Sequence, residues 1–213
     1  MKARFTCFGA TVILILLVLF IGGCNRSALR IHGASLTFPQ TSTGYIAKAS
    51  NPYVVVVSTP IDQRPQHYGE QVAGTKWKGC STDPFMDTSA AEIIEQRLVT
   101  ELQASNLFSK VSTASTDPQD IIMKTEIRAF CSQARGFFWV RVAGISSLRV
   151  ILEQNGKVLL DRKFEKVVTD ADKEYTGSQV SFIEQAMKVT MADSLRELLK
   201  DMFKQFEVEA KTW

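Results

Sequence analysis

The sequence predicts an α+β domain in which an antiparallel-rich sheet of about four to five strands is packed by two helices, in β-α-β-β-β-α order. Three observations predict this class. A Val-rich segment and a helix-period segment open the domain, alternating segments around an Asn-Gly pair follow, and a long helix-period segment closes it. With 45% hydrophobic residues, the chain can build one globular core.

The first strand is expected over residues 53–59, a Val-rich run that ends before Pro60, which cannot donate to a sheet ladder. The segment from Pro60 to Pro84 lacks a clear period and is expected to be mostly loop. A loop of that length within a compact domain is usually functional or held by a covalent link. Cys80 could provide that link.

A helix is expected over residues 89–105, with Asp87 or Thr88 as its N-cap and Asn106 at its end. The segment 107–111 then leads into a short strand, which gives a β-α-β opening. The apolar residues that recur every fourth position on the buried face of this helix are Ile94, Leu98 and Leu102.

Three longer segments with strand character follow. Apolar and polar residues alternate over 121–129, which is typical of a strand with one solvated face. The segments 140–153 and 157–169 flank Asn155-Gly156, the dipeptide best suited to a type I′ hairpin turn because both central residues need positive φ. The sequence therefore predicts a β-hairpin here.

A long amphipathic helix is expected at the end of the chain, with apolar residues at helical spacing from Val180 to Phe206. Its Met and Phe stripe fits packing on the sheet better than it fits a lipid or partner groove.

Residues 1–23 predict a signal peptide for export. Lys2 and Arg4 precede an uncharged apolar run, and small residues precede Cys24, which together are the parts of a secretory signal. The ending Ile21-Gly22-Gly23-Cys24 resembles the bacterial lipobox. This resemblance implies that Cys24 becomes the lipidated first residue of the mature protein, with acyl chains such as palmitate holding it on a membrane.

The alternative is that the uncharged run from Phe5 to Cys24, at about 20 residues, stays in the membrane as a spanning helix. In either case the positive-inside bias exports everything after Cys24. Residues 24–50 are then expected to form a lipidated tether and residues 51–213 a single periplasmic domain. Because Asn25 rather than Asp follows the lipidated cysteine, the sorting rule of enteric-type lipoproteins implies the outer membrane, facing the periplasm.

Cys80 and Cys131 remain as a pair once Cys7 has left with the signal and Cys24 carries lipid. In an oxidising compartment a disulfide between them is the natural expectation. Closing that loop would stabilise the fold by roughly 4 kcal/mol in the chain-entropy model. Two unpaired thiols are the alternative.

The sequence contains no recognisable catalytic motif. Only His32 and His67 are available as histidine ligands, and neither lies near a Cys, Asp or Glu cluster with metal-ligand spacing. The formal net charge of +3 includes two signal-peptide cations, so the exported part carries +1 and offers no nucleic-acid footprint. We therefore expect no enzymatic activity, no cofactor, no metal and no nucleic-acid partner.

Arg64 is a candidate contact for a partner or a lipid. In Asp62-Gln63-Arg64-Pro65 a carboxylate and a guanidinium flank one residue after the first strand, where charge-assisted hydrogen bonds would fix the loop. The alternative is that Arg64 presents its planar fork to a partner carboxylate or a lipid phosphate.

Phe137, Phe138 and Trp139 are further candidates for partner or lipid contact, because they lie between two strands where a tight turn would normally be polar. These aromatic residues either join the core or, if exposed, form an anchor that faces a membrane or a protein.

Several of these features together resemble a family of bacterial envelope lipoproteins. They are the lipobox, Val56-Val57-Ser58 running into Asp62-Gln63-Arg64-Pro65, the helix that ends before Leu107-Phe108, and the long final helix. In these features the chain looks like small envelope lipoproteins of the YajG type and, in outline, the auxiliary lipoproteins of ABC-type lipid transporters. The resemblance implies an α+β domain without enzymatic activity that serves as an accessory in envelope assembly or transport.

Two roles are compatible with these features. In the first, the membrane-tethered domain binds an envelope protein through a sheet edge or the aromatic loop. In the second, it shields acyl chains in a groove between the C-terminal helix and the sheet.

Overall fold

The computed structural model describes residues 41–81, 89–115, 117–136, 139–170, 173, 175–176 and 178–213. All of them belong to the unit His32–Trp213. The predicted signal peptide, the lipidation site at Cys24, and Phe137 and Phe138 lie outside the described residues.

The two helices and the expected segments follow in the predicted order, but the structure has six strands where the predicted β-α-β-β-β-α order has four, because the short β2 and β3 both belong to the sheet. The elements are β1 (Asn51–Val57), β2 (Ile61–Asp62), α1 (Ala90–Ser105), β3 (Phe108–Ser112), β4 (Ile121–Arg135), β5 (Arg141–Gln154), β6 (Lys157–Thr169), α2 (Val180–Glu209) and a final 3₁₀ turn (Ala210–Thr212).

The strands form one sheet in the order β3-β1-β4-β5-β6, with β2 paired to β4 beside this path. β1 runs parallel to both β3 and β4, whereas β4, β5 and β6 are antiparallel neighbours. The parallel pairing of β1 and β3 through α1 is the β-α-β opening expected from the sequence. The prediction of an α+β fold with two helices on an antiparallel-rich sheet is therefore confirmed, with six strands in the sheet.

Both helices bury their apolar faces in one core with the sheet. Ile94 and Leu98 of α1 join the same cluster as Leu195 and Phe203 of α2. Alternate residues of the sheet complete this cluster, and they include Val55, Val57, Met123, Ile127, Leu148, Val150 and Leu152. Burial of this many large side chains, at about 25 cal/mol per Å² of apolar surface, is the main term that stabilises the domain.

Local sequence signals fix the ends of several elements. Ser89 is the N-cap of α1 and accepts a hydrogen bond from the Glu92 backbone N–H at 3.2 Å, so the cap lies one residue after the predicted Thr88. Asn106 ends this helix with a left-handed φ of 54°, as predicted. Asn155 and Gly156 both have positive φ, at 51° and 74°, which confirms the hairpin turn between β5 and β6.

A β-bulge at Arg128 divides β4 into two parts. The register with β5 shifts between Ile127 and Ala129, so Arg128 is the extra residue. Ile127 packs in the helix-side core, whereas Ala129 packs on the other side of the sheet. Because the bulge reverses the alternation, the simple period-two pattern predicts only the first half of this strand.

Residues 41–48, which we call the strap, lie against both helices rather than forming part of a free tether. The strap surrounds the buried carboxylate of Glu101, which accepts hydrogen bonds from the Thr43 backbone N–H at 2.9 Å and from its hydroxyl at 2.6 Å. At the other end of the strap, the Ala47 N–H donates to the Ser105 carbonyl. The folded part of the chain therefore begins before the predicted boundary at residue 51.

Among the described helices, none has the length and apolar character needed to cross a bilayer. The 30-residue α2 is long enough, but charged residues on its outer face interrupt its apolar stripe.

Candidate functional site

A long loop covers the face of the sheet opposite the helices. This cross-sheet loop, residues 63–81, places the buried side chains of Val72 and Trp77 against Ala143 and Ile145 of β5. The guanidinium of Arg135 lies 4.8 Å from the Trp77 ring centroid and closes the outer side of the cluster. The loop therefore carries a second, smaller apolar core.

A disulfide links the cross-sheet loop to the sheet. Cys80 at the end of the loop is bonded to Cys131 in β4, with a Cα–Cα distance of 6.4 Å. This pairing is the one expected from the sequence, and it gives the long non-periodic loop the covalent link that its length required. Gln133 adds a hydrogen bond from its side-chain amide to the Lys78 carbonyl at 2.7 Å.

Arg64 is buried and holds the beginning of the cross-sheet loop through contacts within the protein. It is only 7% exposed, and its guanidinium contacts the Asp62 carboxylate at 2.7 Å and donates to the Phe130 carbonyl at 3.1 Å. Burial alone would raise the pKa of Asp62, but the hydrogen bonds and charge of Arg64 outweigh it and lower that pKa. The fork of Arg64 is thus used within the chain, as the loop-fixing interpretation of this motif expected, and the partner or lipid contact considered for Arg64 stays a prediction.

His67 lies in a small polar cluster under the same loop. Its Nδ1 is 2.9 Å from the Glu70 carboxylate, and its Nε2 accepts a hydrogen bond from Arg128 at 3.0 Å. The bond to His67 lowers the pKa of Glu70. An imidazole that donates through Nδ1 and accepts through Nε2 has both nitrogens committed, so this arrangement holds the loop on the bulge of β4 and leaves no free base.

The described residues contain no group of three or more His, Cys, Asp or Glu side chains placed to hold a metal ion.

α2 and β5 are in direct contact around Gly144 and Ser146. A Cβ built on Gly144 of β5 would fall 1.9 Å from the Thr190 carbonyl oxygen, so the helix backbone rests directly on the strand at this point. Ser146 and Ser194, both fully buried, share a hydrogen bond of 2.7 Å across the same interface. An acyl chain has no room at this part of the interface, which is where α2 crosses the first half of β5.

Of the nine large hydrophobic side chains that are exposed among the described residues, four belong to two elements at one end of the domain, and we call these four the Trp139 end surface. They are Trp139 before β5 and Val180, Phe182 and Val189 in the first turns of α2, with exposed fractions of 60%, 39%, 63% and 41%. The side chain of Trp139 is therefore exposed, which is what the anchor interpretation of the aromatic loop predicts for this residue.

Two elements bring these residues to the same end. Val140 and Tyr175 pair through backbone hydrogen bonds of 2.7 and 3.1 Å, which ties the start of β5 to the segment that leads into α2. Measured from the contact between Gly144 and Thr190, Trp139 lies about 16 Å away in the direction of the start of β5. Phe182 lies about 12 Å away in the direction of the start of α2. Trp139 and Phe182 therefore lie at nearly the same level of the domain.

Tyr175 fixes this junction electrostatically as well as through its backbone. Burial and a hydrogen bond from its hydroxyl to Asp170 raise the pKa of Tyr175 to about 12. The phenol therefore stays neutral and keeps donating throughout the physiological range.

The sequence indicated Trp139 but not its helical neighbours. Phe182 immediately precedes the inward-facing Ile183, and Val189 precedes the buried Thr190 and Met191, so both fall beside the apolar stripe of α2. An apolar residue off the buried stripe is the signal that could have identified them. The helical spacing predicts Val180 on the buried stripe, but its side chain is partly exposed because this residue begins the helix.

The sequence matches no protein-family model and no curated protein. Its structure is similar to that of protein XCC0632 from Xanthomonas campestris, described by the DUF330 family model, with a TM-score of 0.52 and 13% identity over 79% of this chain and 92% of that one. A second solved structure, the lipoprotein GNA1162 from Neisseria meningitidis, aligns with a TM-score of 0.35 and 11% identity over 67% of this chain and 100% of that one. The likeness to XCC0632 shows that this chain shares the α+β fold of a DUF330 protein, and the finer resemblance to YajG-type lipoproteins stays a prediction.

Proposed function

We propose that this chain is an exported lipoprotein, held on a membrane through acylated Cys24, that acts without catalysis as an accessory binding module in cell-envelope assembly or transport. The lipobox and the apolar run before it support the export and the anchor. The disulfide between Cys80 and Cys131 supports the same compartment, because such bonds persist outside the reducing cytosol. The sorting rule applied to Asn25 favours the periplasmic side of the outer membrane.

The observation that carries the binding role is the exposure of two large aromatic side chains, Trp139 and Phe182, at one end of the domain. Large aromatic side chains that stay in solvent cost free energy in the isolated domain, and they are enriched where proteins meet partners or membranes. The side chains of β5 and α2 behind this surface are packed, so it is held by a rigid support. We propose that the module works through this surface.

The geometry favours a surface-binding role over a carrier role. A lipid carrier needs a cavity for acyl chains, and the tight approach of Gly144 to Thr190 occupies the place where the sequence suggested one. The polar cluster around His67 likewise lacks a free base that could serve in catalysis.

The anchor is tested by intact-mass analysis of the protein extracted from membranes. We expect a chain that begins at Cys24 and carries acyl groups, and a Cys24→Ser variant that leaves the membrane fraction. An unmodified chain that still begins at Met1 would contradict the lipoprotein proposal.

The binding surface is tested in cells with a photo-activatable amino acid placed at position 182. The matched control position is 208, where Val208 is 60% exposed in the last turns of the same helix, far from Trp139. We expect adducts, of protein or of lipid, from position 182 and not from position 208. Equal labelling at both positions would show that the Trp139 end surface has no special role.

A further inference from the structure

We infer that the occupant of the Trp139 end surface is the lipid bilayer itself, so that the domain stands on the membrane with Trp139 and Phe182 in the interface. This inference rests on the proposed lipid anchor, and it adds an orientation that the anchor alone does not impose. A tether restricts distance, whereas two exposed aromatic side chains at one end would fix which end faces the membrane.

The path of the strap leads the chain towards that end. Backwards along the sequence, the strap contacts Ser105 through Ala47, then Glu101 through Thr43, and finally Arg97 through the Thr41 carbonyl. From Ser105 to Glu101 and from Glu101 to Arg97, each step moves about one turn along α1 towards its N-terminus. Followed back to Thr41, the strap therefore runs in the direction of the N-terminus of α1.

The N-terminus of α1 points towards the Trp139 end of the sheet. β1 is parallel to β4, with Val57 opposite Met123, and α1 returns from the end of β1 to the start of β3. The first turn of α1 is therefore on the side towards which β4 runs, and β4 continues to Arg135, directly before the turn that carries Trp139. The strap and the aromatic residues thus point to the same end of the domain.

The length of chain before the strap is compatible with contact between this end and the bilayer. Residues 25–40 separate the predicted acylated cysteine from Thr41, and a chain of that length spans at most about 55 Å. The domain is therefore confined close to the membrane, where even a weak apolar contact is favoured by its high effective concentration.

The two sequence segments that carry the Trp139 end surface are balanced in charge, which bears on the kind of lipid that it suits. Four basic and four acidic residues occur in the segments 134–142 and 170–189, and they are Arg135, Arg141, Lys173 and Lys188 with Asp170, Asp172, Glu174 and Glu184. Segments without net charge give aromatic residues no electrostatic preference for anionic headgroups, so the interface of a zwitterionic bilayer is sufficient. The contact should therefore depend little on salt.

The test measures contact between individual tryptophans and lipid in the acylated, full-length mature protein. The protein is reconstituted into phosphatidylcholine vesicles with or without brominated acyl chains, which quench tryptophan emission on contact. One variant keeps only Trp139 (Trp77→Phe with Trp213→Phe), and its matched control keeps only Trp213 (Trp77→Phe with Trp139→Phe). Trp213 stacks on Phe108 at the opposite end of the sheet.

We expect brominated vesicles to reduce Trp139 emission at both low and high salt and to leave Trp213 emission unchanged. Loss of quenching on Phe182→Ser in the Trp139 variant would support the shared surface. If replacement of the buried Trp77 unfolds the protein, the comparison of Trp139→Phe with the unsubstituted protein gives the same information, because the quenched part of the emission should disappear.

Two outcomes would overturn the orientation. In one, Trp139 is unaffected by brominated lipid and is freely quenched by acrylamide in water, so the surface stays in solvent. In the other, Trp139 is protected from both quenchers, so a second copy or residues 25–40 cover it. Either result with an acylated Cys24 defeats this inference alone, whereas an unmodified Cys24 defeats the proposed function.

Discussion

Gly144 lies directly beneath the backbone of Thr190, so close that a methyl group on the glycine would overlap the Thr190 carbonyl at 1.9 Å. This contact sets the height of α2 above β5 and leaves no space for a ligand at this point. Gly144→Ala should therefore force the helix away from the sheet and destabilise the domain by about 3 kcal/mol, the upper part of the range for overpacked cores. Urea unfolding of the two proteins measures this difference.

Gly156→Ala is the matched control for that substitution. Gly156 lies in the hairpin turn with a φ of 74° and has open space around its Cα, so an added methyl meets no neighbour. Its cost should come only from the left-handed backbone, at about 1 kcal/mol. Similar losses for both variants would show that Gly144 matters for its backbone freedom and not for the close approach of α2.

The disulfide should stabilise the cross-sheet loop and its small apolar core. Replacing Cys80 and Cys131 together by serine should lower the free energy of unfolding by up to about 4 kcal/mol, because the open chain regains loop entropy. Limited proteolysis should then cut residues 63–81 first, since Val72 and Trp77 belong to the smaller apolar cluster and not to the main core. The larger core between the helices and the sheet should persist.

Thiol titration of the denatured, unreduced protein provides the check on that expectation. No reactive thiol should be found at Cys80 or Cys131 in protein recovered from the cell envelope. Two reactive thiols per chain, or a serine variant with unchanged stability, would contradict a stabilising bridge.

The sequence predicted most of this fold because its strongest signals are local. Asn155-Gly156 specifies its hairpin through backbone conformation alone, and Asn106 ends α1 for the same reason. The strand boundaries after 121 were harder to predict, because the bulge at Arg128 reverses the alternation and depends on the pairing of β4 with β5. The sequence of β4 alone does not show how this strand pairs with β5.

The candidate site was only partly predictable for a related reason. Trp139 stands out in the sequence as an aromatic residue in a turn, but Phe182 is 43 positions away and reaches the same level of the domain only through the packing of α2 on β5. The burial of Arg64 also depends on a distant group, the Phe130 carbonyl. The Ser and Thr residues of the strap are typical of a flexible tether. The carboxylate that accepts their hydrogen bonds, Glu101, is far along the chain, so the sequence of the strap does not indicate this contact.

The pair Asp62 and Arg64 should make part of the stability depend on acid pH. The folded-state pKa of Asp62 lies below its unfolded value of about 3.9, so its contribution is present above about pH 4 and is lost as the pH falls through the folded value. Asp62→Asn should be less stable than the unsubstituted protein at neutral pH, and this difference should shrink below about pH 4. Urea midpoints measured across this range test it.

Arg64→Lys is the informative companion to that substitution. Lysine keeps the positive charge near Asp62 but cannot form the two-point contact or reach the Phe130 carbonyl with the same fork, so an intermediate stability is expected. A constant gap between Asp62→Asn and the unsubstituted protein at every pH would show that the carboxylate charge contributes nothing.

Glu101 should control whether the strap stays on the helices. Its carboxylate is 2% exposed, pairs with Arg97 at 3.1 Å and accepts hydrogen bonds from both Ser42 and Thr43. Glu101→Gln removes the charge that these donors share and leaves Arg97 buried without its partner, which should cost about 3 kcal/mol. Hydrogen exchange of the backbone amides in residues 43–48 should rise sharply.

The matched control is Glu95→Gln, a half-buried carboxylate on the same helix away from the strap, which should leave that exchange unchanged. The strap also places Tyr45 on Phe203, with its hydroxyl bonded to Glu207, so Tyr45→Phe separates local from general loosening. It should accelerate exchange at Lys48, whose amide shares the Glu207 carboxylate, more than at Thr43. Unchanged exchange in Glu101→Gln would mean that the apolar contact of Tyr45, and not the buried carboxylate, holds the strap.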